Sequence, residues 1–328
     1  NNALGRPEKK KIISRKKGYH GVTIASASMT GLPYNHIDWD LPLDRFISTG
    51  TPHHWREAAD GETEQEFSAR LAHELEELIE REGPETVAAF IAEPVMGAGG
   101  VIVPPAGYFE AIRPVLEKYD VLMISDEVIN GFCRTGEWFG ADTYNVNPTS
   151  MSLAKQLTGG YAPLSAVALC REQAEVIEQH TGKIGTLGHG FTYGGHPVGC
   201  AAGVAAIRIY QERKILDHVR KVAPKFQGHL QRLKDHPLVG EARGVGLIGA
   251  LELSPDKSGK KTFDPAGKLG AKLSGELVER GVILRAMGDA LGFCPPMIIT
   301  EEEIDALFAP MEEALDATHA FAKAEGLI

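Results

Sequence analysis

Two apolar runs of this sequence end in residues of opposite charge: 121–125 leads into Asp126, and 150–154 leads into Lys155. In an open α/β sheet the ligand crevice lies beyond the carboxyl ends of the strands, so polar residues ending apolar runs are the first to weigh for chemistry. Taken singly, a strand-end acid is most often a cap or turn residue. A strand-end lysine is most often a surface residue whose stem lies along apolar neighbours. The pair is more specific, because neighbouring strand ends would present an acid and an amine to one crevice. Pyridoxal phosphate needs both: an amine for a Schiff base, and a carboxylate that keeps its ring nitrogen protonated as an electron sink. Glu127 follows Asp126 directly. On a strand it must point to the opposite face, so the two acids do not form a general acid/base pair.

The elements that would position these residues read as short apolar runs alternating with amphipathic stretches, the pattern of parallel strands covered by helices. Strands are predicted at 11–14, 87–93, 121–126, 150–154 and 166–170. Helices are predicted at 64–82, with Leu71, Leu75 and Leu78 on one face, and at 107–119, 199–212 and 215–235. This is a doubly wound α/β pattern. After Asp235 the order changes to a strand-like 244–253, a helix near 266–280, a hairpin at 282–293 and a closing helix over 301–325, as in a smaller α+β domain. The expected division is 1–215 and 216–328.

Composition excludes several classes. With 328 residues, 43% hydrophobic and 24% charged, the chain is globular and long enough for two domains. A formal charge of -10 gives no global attraction to nucleic acid or to an anionic membrane. The basic residues Lys9, Lys10, Lys11, Arg15, Lys16 and Lys17 flank Ile12 and Ile13 and read as the solvated flanks of one strand. Cys133, Cys170, Cys200 and Cys294 are far apart and without zinc-ligand histidine spacing, so neither disulfides nor a metal is expected, and a reducing cytoplasm fits. No apolar stretch reaches the length of a membrane span, and the first residues lack a signal-peptide core. The chain starts without Met in what reads as a helix end at 1–5, so a further N-terminal part is expected.

Four segments carry a family resemblance: I-S-D-E-V-I-N-G-F-C-R-T-G (124–136), M-S-L-A-K-Q-L-T-G-G-Y-A-P-L-S (151–165), H-G-F-T-Y-G-G-H-P-V-G (189–199) and I-A-E-P-V-M-G-A-G-G (91–100). In this order they resemble the segments of class III pyridoxal-phosphate-dependent aminotransferases. The resemblance implies PLP-dependent transferase fold type I, a large doubly wound, mostly parallel sheet domain with a smaller α+β C-terminal domain. It also implies sites shared across a homodimer or a dimer of dimers. By position, Lys155 would carry the cofactor and move the proton, and Asp126 would pair with the pyridine nitrogen. Tyr19, His20 and Gly21 would bind the cofactor, with Tyr19 stacking on one ring face and Val128 packing on the other. Thr192 would reach the phosphate of the neighbouring subunit. Departures from the family are Cys133 where Gly is usual, Gly194 for Ser and Thr149 for an acid; the family's Gly-Ser phosphate cup is expected upstream of Asn1.

Ornithine-type members carry an arginine where this chain has Gly292, and an arginine appears instead at Arg285 in I-L-R-A-M-G-D. This resembles the amine:pyruvate, or ω-amino acid, branch, whose arginine pairs with a carboxylate and swings out for a neutral group. A guanidinium suits that role because its planar fork binds carboxylate bidentately. The implied substrates are a small amine or ω-amino acid donor and a 2-oxo acid, with pyruvate as the acceptor. Trp55, Tyr161 and His54 are candidates for the pocket lining. A decarboxylase or aminomutase would share Lys155 and Asp126, and a silent binding protein could share the scaffold. Gly244-Val245-Gly246-Leu247-Ile248-Gly249 matches G-x-G-x-x-G. It precedes a strand-like run instead of opening a helix, which argues against a dinucleotide site.

Overall fold

The computed structural model describes residues 1–257 and 261–328. The strands are β1 (Lys11–Arg15), β2 (Phe46–Thr49), β3 (Val87–Ala92), β4 (Leu122–Asp126), β5 (Ser150–Leu153), β6 (Ala166–Leu169), β7 (Val239–Val245), β8 (Ile248–Leu253), β9 (Arg285–Met287) and β10 (Ala290–Phe293). The first six form one sheet in the order β2-β1-β3-β4-β5-β6. Every neighbour pair in it is parallel except β5 with the edge strand β6. The carboxyl ends of β1, β3, β4 and β5 therefore lie along one rim. The strand order reverses between β1 and β3, the place where open α/β sheets bind ligands.

One face of this sheet is sealed by the helices Glu64–Glu82 and Tyr108–Lys118. The first starts in a capping box, with Thr63 accepting from Glu66 N–H at 3.2 Å and Glu66 accepting from Thr63 N–H at 2.9 Å. Phe67, Leu71, Leu75, Leu78 and Ile79 recur at helical spacing and are buried against Ile13, Phe90 and Ile112. The basic run is not a solvated flank throughout. Lys9 is buried and donates to the Tyr119 carbonyl at 3.0 Å, while Arg15 is 1% exposed, bonded to the Glu93 carbonyl and placed over the Tyr108 ring. Lys9 just before β1 and Arg15 at its end thus turn into the core, each with a donor on a backbone carbonyl.

The second sheet is antiparallel, in the order β7-β8-β10-β9. Helices Ile215–Arg232, Lys268–Glu279, Glu301–Phe308 and Met311–Ala324 cover it around Phe226, Phe293 and Phe308. The expected single run at 244–253 is a hairpin. Gly246 turns it at φ 55°, where a Cβ would meet the Arg134 carbonyl oxygen at 2.4 Å, so the G-x-G-x-x-G match is a β-turn and not a phosphate loop. The expected closing helix over 301–325 is two helices. Pro310, which has no N–H to continue the ladder, stands between them. Sequence periodicity missed β2 and the helix Arg171–Ile184, which buries no residue.

Candidate active site

Asp126 is the last residue of β4 and pairs in register with Ser152 of β5. Its side chain is buried. One carboxylate oxygen accepts from Val128 N–H at 3.1 Å and the other lies 2.8 Å from His20 Nδ1. A carboxylate has about four acceptor positions, so these two partners leave room for a further N–H. Glu127 points the other way, toward Gly140 N–H at 2.8 Å, Ala141 N–H at 2.7 Å and the Ser125 hydroxyl at 3.1 Å. Burial pushes Glu127 up to about 7 against the pull of those donors.

Lys155 follows β5 and opens a 3-10 turn at φ 46°, a left-handed conformation that a lysine holds only under local constraint. Its side chain faces a cavity of about 580 Å³. Desolvation lowers its pKa, opposed by the charges of Asp126 and Glu93. The lowering raises the fraction of uncharged, nucleophilic amine. Tyr19, Val128 and Arg285 line the same cavity, with Gln156, Met287 and Cys294 among its other walls. Asp126 and His20 are not on this lining; they lie buried behind it, close enough for the Asp126 charge to act on the amine.

The remaining candidates fall elsewhere. Gly21 lies at φ 120°, just past His20 and before the Thr23 cap. Thr192 sits in an exposed segment, 186–198, together with Phe191 and Tyr193. Trp55 and His54 do not line the cavity. Trp55 packs on Gly240 of β7 and His54 bonds the Glu62 carbonyl at 2.8 Å. Tyr161 is 95% exposed and borders a neighbouring hollow that shares Arg134, Gln156 and Cys294 with the cavity. The family departure Cys133 stands at φ 77°, a backbone that glycine adopts without strain.

Sequence reasoning missed Glu93, which lies within the 91–100 segment. It follows β3 at the point where strand order reverses, is 3% exposed, and accepts from Tyr19 N–H at 3.0 Å and Gly97 N–H at 2.8 Å. Burial raises its pKa. The signal that marks Asp126, an acid just past an apolar run, marks Glu93 as well.

The arrangement fits pyridoxal phosphate. An amine opens into a cavity, a buried carboxylate with spare acceptor capacity lies behind it, and an aromatic and a β-branched residue share its walls. A family model, "Aminotransferase class-III", matches residues 1–315. The chain belongs to the class III aminotransferases. That family uses pyridoxal phosphate. The chain is 49% identical over 318 residues to "Gamma-aminobutyrate transaminase 1, mitochondrial" of Oryza sativa subsp. indica, covering 97% of this chain and 62% of that protein. It is 50% identical to "Gamma aminobutyrate transaminase 3, chloroplastic" of Solanum lycopersicum, covering 97% of this chain and 61% of that protein. Among solved structures, the omega transaminase from Pseudomonas jessenii in complex with PMP superposes with a TM-score of 0.96 at 50% identity, covering 98% of this chain and 71% of that one. The chain thus spans about three fifths of the length of these curated relatives. Among the described residues no helix is long and apolar enough to cross a membrane.

Proposed function

We propose that the protein transfers the amino group of an amine or ω-amino acid donor to a 2-oxo acid, with pyruvate as acceptor and pyridoxal phosphate carried by Lys155. The observation that carries this reading is a single cavity lined by both Lys155 and Arg285, with Asp126 buried behind it. Bound pyridoxal phosphate supplies an aldehyde for the lysine amine and a protonated ring that draws electrons from the substrate carbon bearing nitrogen. Asp126 holds the proton on the ring nitrogen, and His20, bonded to its second oxygen, fixes the carboxylate's orientation. Lys155 Nζ, its basicity lowered by its surroundings, takes the proton from that substrate carbon and returns it one position away. Tyr19 and Val128 flank the ring, Gly21 lets the chain turn past His20, and Arg285 pairs with the substrate carboxylate.

Thr192 serves the phosphate site of a neighbouring copy, which its exposed segment supports. Trp55 and Tyr161 are not carried into the proposed pocket. Relatives named as GABA and omega transaminases favour transamination over the decarboxylase and aminomutase alternatives. The spacing of the four cysteines fits a reducing compartment, and relatives named mitochondrial and chloroplastic add organelles to the cytoplasm as candidates. Single-turnover spectra of the cofactor-loaded protein test the reading in both directions. Arg285→Ala should depress the pyruvate half-reaction more than tenfold, because a lost partner for a desolvated carboxylate costs about 2 to 5 kcal/mol. The half-reaction of a neutral arylalkylamine should fall far less. Equal losses would make Arg285 structural, and no amine-dependent spectral change in the unmutated protein would contradict transamination.

A further inference from the structure

The cavity wall contains a constrained loop between β3 and the helix Tyr108–Lys118. Met96 and Ile102 exchange backbone bonds at 3.0 and 2.9 Å, enclosing 97–101. Backbone closes on it at Gly99, where a Cβ would lie 2.3 Å from the Lys17 carbonyl oxygen, while a Cβ on Gly97 would have to displace Ile129 Cδ1, 2.2 Å away. Val101 closes the loop at φ 51°. A β-branched residue is a genuine outlier in that left-handed region and stays there only where the surroundings over-determine it. Gly97, Ala98 and Val101 all line the cavity that holds Lys155.

Arg243 supplies the constraint from β7. Its Nε donates to the carbonyls of Gly100 at 3.2 Å and Val101 at 3.0 Å, and Nη2 donates to Gly100 at 2.5 Å. Its Nη1 is held by Glu241 at 2.5 Å and Glu252 at 2.6 Å. His53 bonds Glu241 at 2.8 Å and Arg56 bonds Glu252 at 2.8 Å. His53, Glu241 and Glu252 are close enough to suggest a metal site. Two guanidiniums already neutralise the two carboxylates, so the cluster serves as the anchor of Arg243. The Val101 side chain packs with Ile248 and Ala250, and its Cγ2 lies 3.7 Å from where a Cβ on Gly292 would stand. With no side chain at Gly292, this part of the wall is closed by Val101 together with Met287, whose Cε lies 2.6 Å from where that Cβ would stand, and Ile248.

We propose that Val101 sets the bulk of substituent that the cavity accepts on the amino donor, and that Arg243 is the positioning residue that holds it there. This rests on the transaminase reading. The test measures kcat and KM for primary amines whose substituent grows from methyl to phenyl, in the unmutated protein, Val101→Ala, Arg243→Lys and the double variant. Calorimetry of the N,N-dimethyl analogues, which cannot react, gives binding alone. Val101→Ala should raise the bulky-to-small ratio of kcat/KM about tenfold, mainly through KM, with a parallel gain in analogue binding. Arg243→Lys keeps a charge toward Glu241 and Glu252 but loses the fork on the two carbonyls. It should change the same ratio in the unmutated background and little in the Val101→Ala background. An equal factor for every donor in Val101→Ala, or an Arg243→Lys effect undiminished in that background, would overturn the proposal. If Arg243→Lys does not fold, Val101→Ala decides alone. If no amine is turned over by the unmutated protein, transamination fails, while analogue binding still decides the wall.

Discussion

An amine and an acid cooperate only if the chain turns both toward one space, and at this site the turning is done by single residues. Asp126 ends β4 on one face while Glu127 leaves on the other, so substitution should separate chemistry from stability. Asp126→Asn removes the charge that keeps a ring nitrogen protonated, and turnover should fall by more than about a hundredfold, the scale of a lost proton-holding group. Glu127→Gln turns an amide N–H₂ toward the donors of Gly140 or Ala141 and should cost about 1 to 3 kcal/mol of stability. Its turnover below the melting temperature should change far less. Kinetics and melting curves of the two variants check this, and equal losses of turnover would contradict the strand orientation. Lys155 and Asp126 were legible in the sequence because each terminates an apolar run. Glu93 carries the same mark, and its neighbours hid it: its partners are backbone N–H groups of Tyr19 and Gly97, which no spacing rule brings together. Val101 was invisible for a related reason, since its backbone angle is set by an arginine far along the chain.

At the scale of elements, alternation and helical periodicity found the strands and helices with a buried stripe, such as Glu64–Glu82. They missed β2, a four-residue strand, and Arg171–Ile184, whose faces are both solvated. Trp55, a candidate for the pocket lining, fills the space over Gly240. The same short segment carries His53 and Arg56 to the β7–β8 hairpin, and that tie has a pH signature. Burial raises the Glu252 pKa, but the charges of Arg243, His53 and Arg56 outweigh it and hold the group at about 2, below its ordinary 4.5. A depressed carboxylate contributes stability above its unfolded pKa and loses it as pH falls through the folded value. That contribution, at most about 3 kcal/mol from the size of the shift, should be present at neutral pH and disappear between about 4.5 and 2. Denaturant midpoints of the unmutated protein and Glu252→Gln should differ at pH 6 and converge as pH falls. A gap independent of pH would mean that Glu252 acts through packing alone.

At the scale of the whole molecule, large apolar residues are exposed in two stretches of the chain, 22–39 and 161–198, and the second bears on assembly. Val167 of the edge strand β6 is 70% exposed, Phe191 81% and Tyr193 80%, and Tyr161 and Val198 are exposed near them in the chain. Patches of this kind mark contact surfaces, and Thr192 lies within this stretch. We expect the active unit to hold at least two copies, and Phe191→Asp to weaken their association and lower activity with it. Sedimentation at assay concentration checks this, and a fully active monomer would contradict it. The central claim, that Lys155 carries the cofactor, has a more direct test. The protein loaded with pyridoxal phosphate is reduced with borohydride, digested and mapped. The account predicts a pyridoxyl mass on the peptide containing Lys155, absent in Lys155→Ala along with turnover. The same mass on any other lysine, or on none, would contradict it.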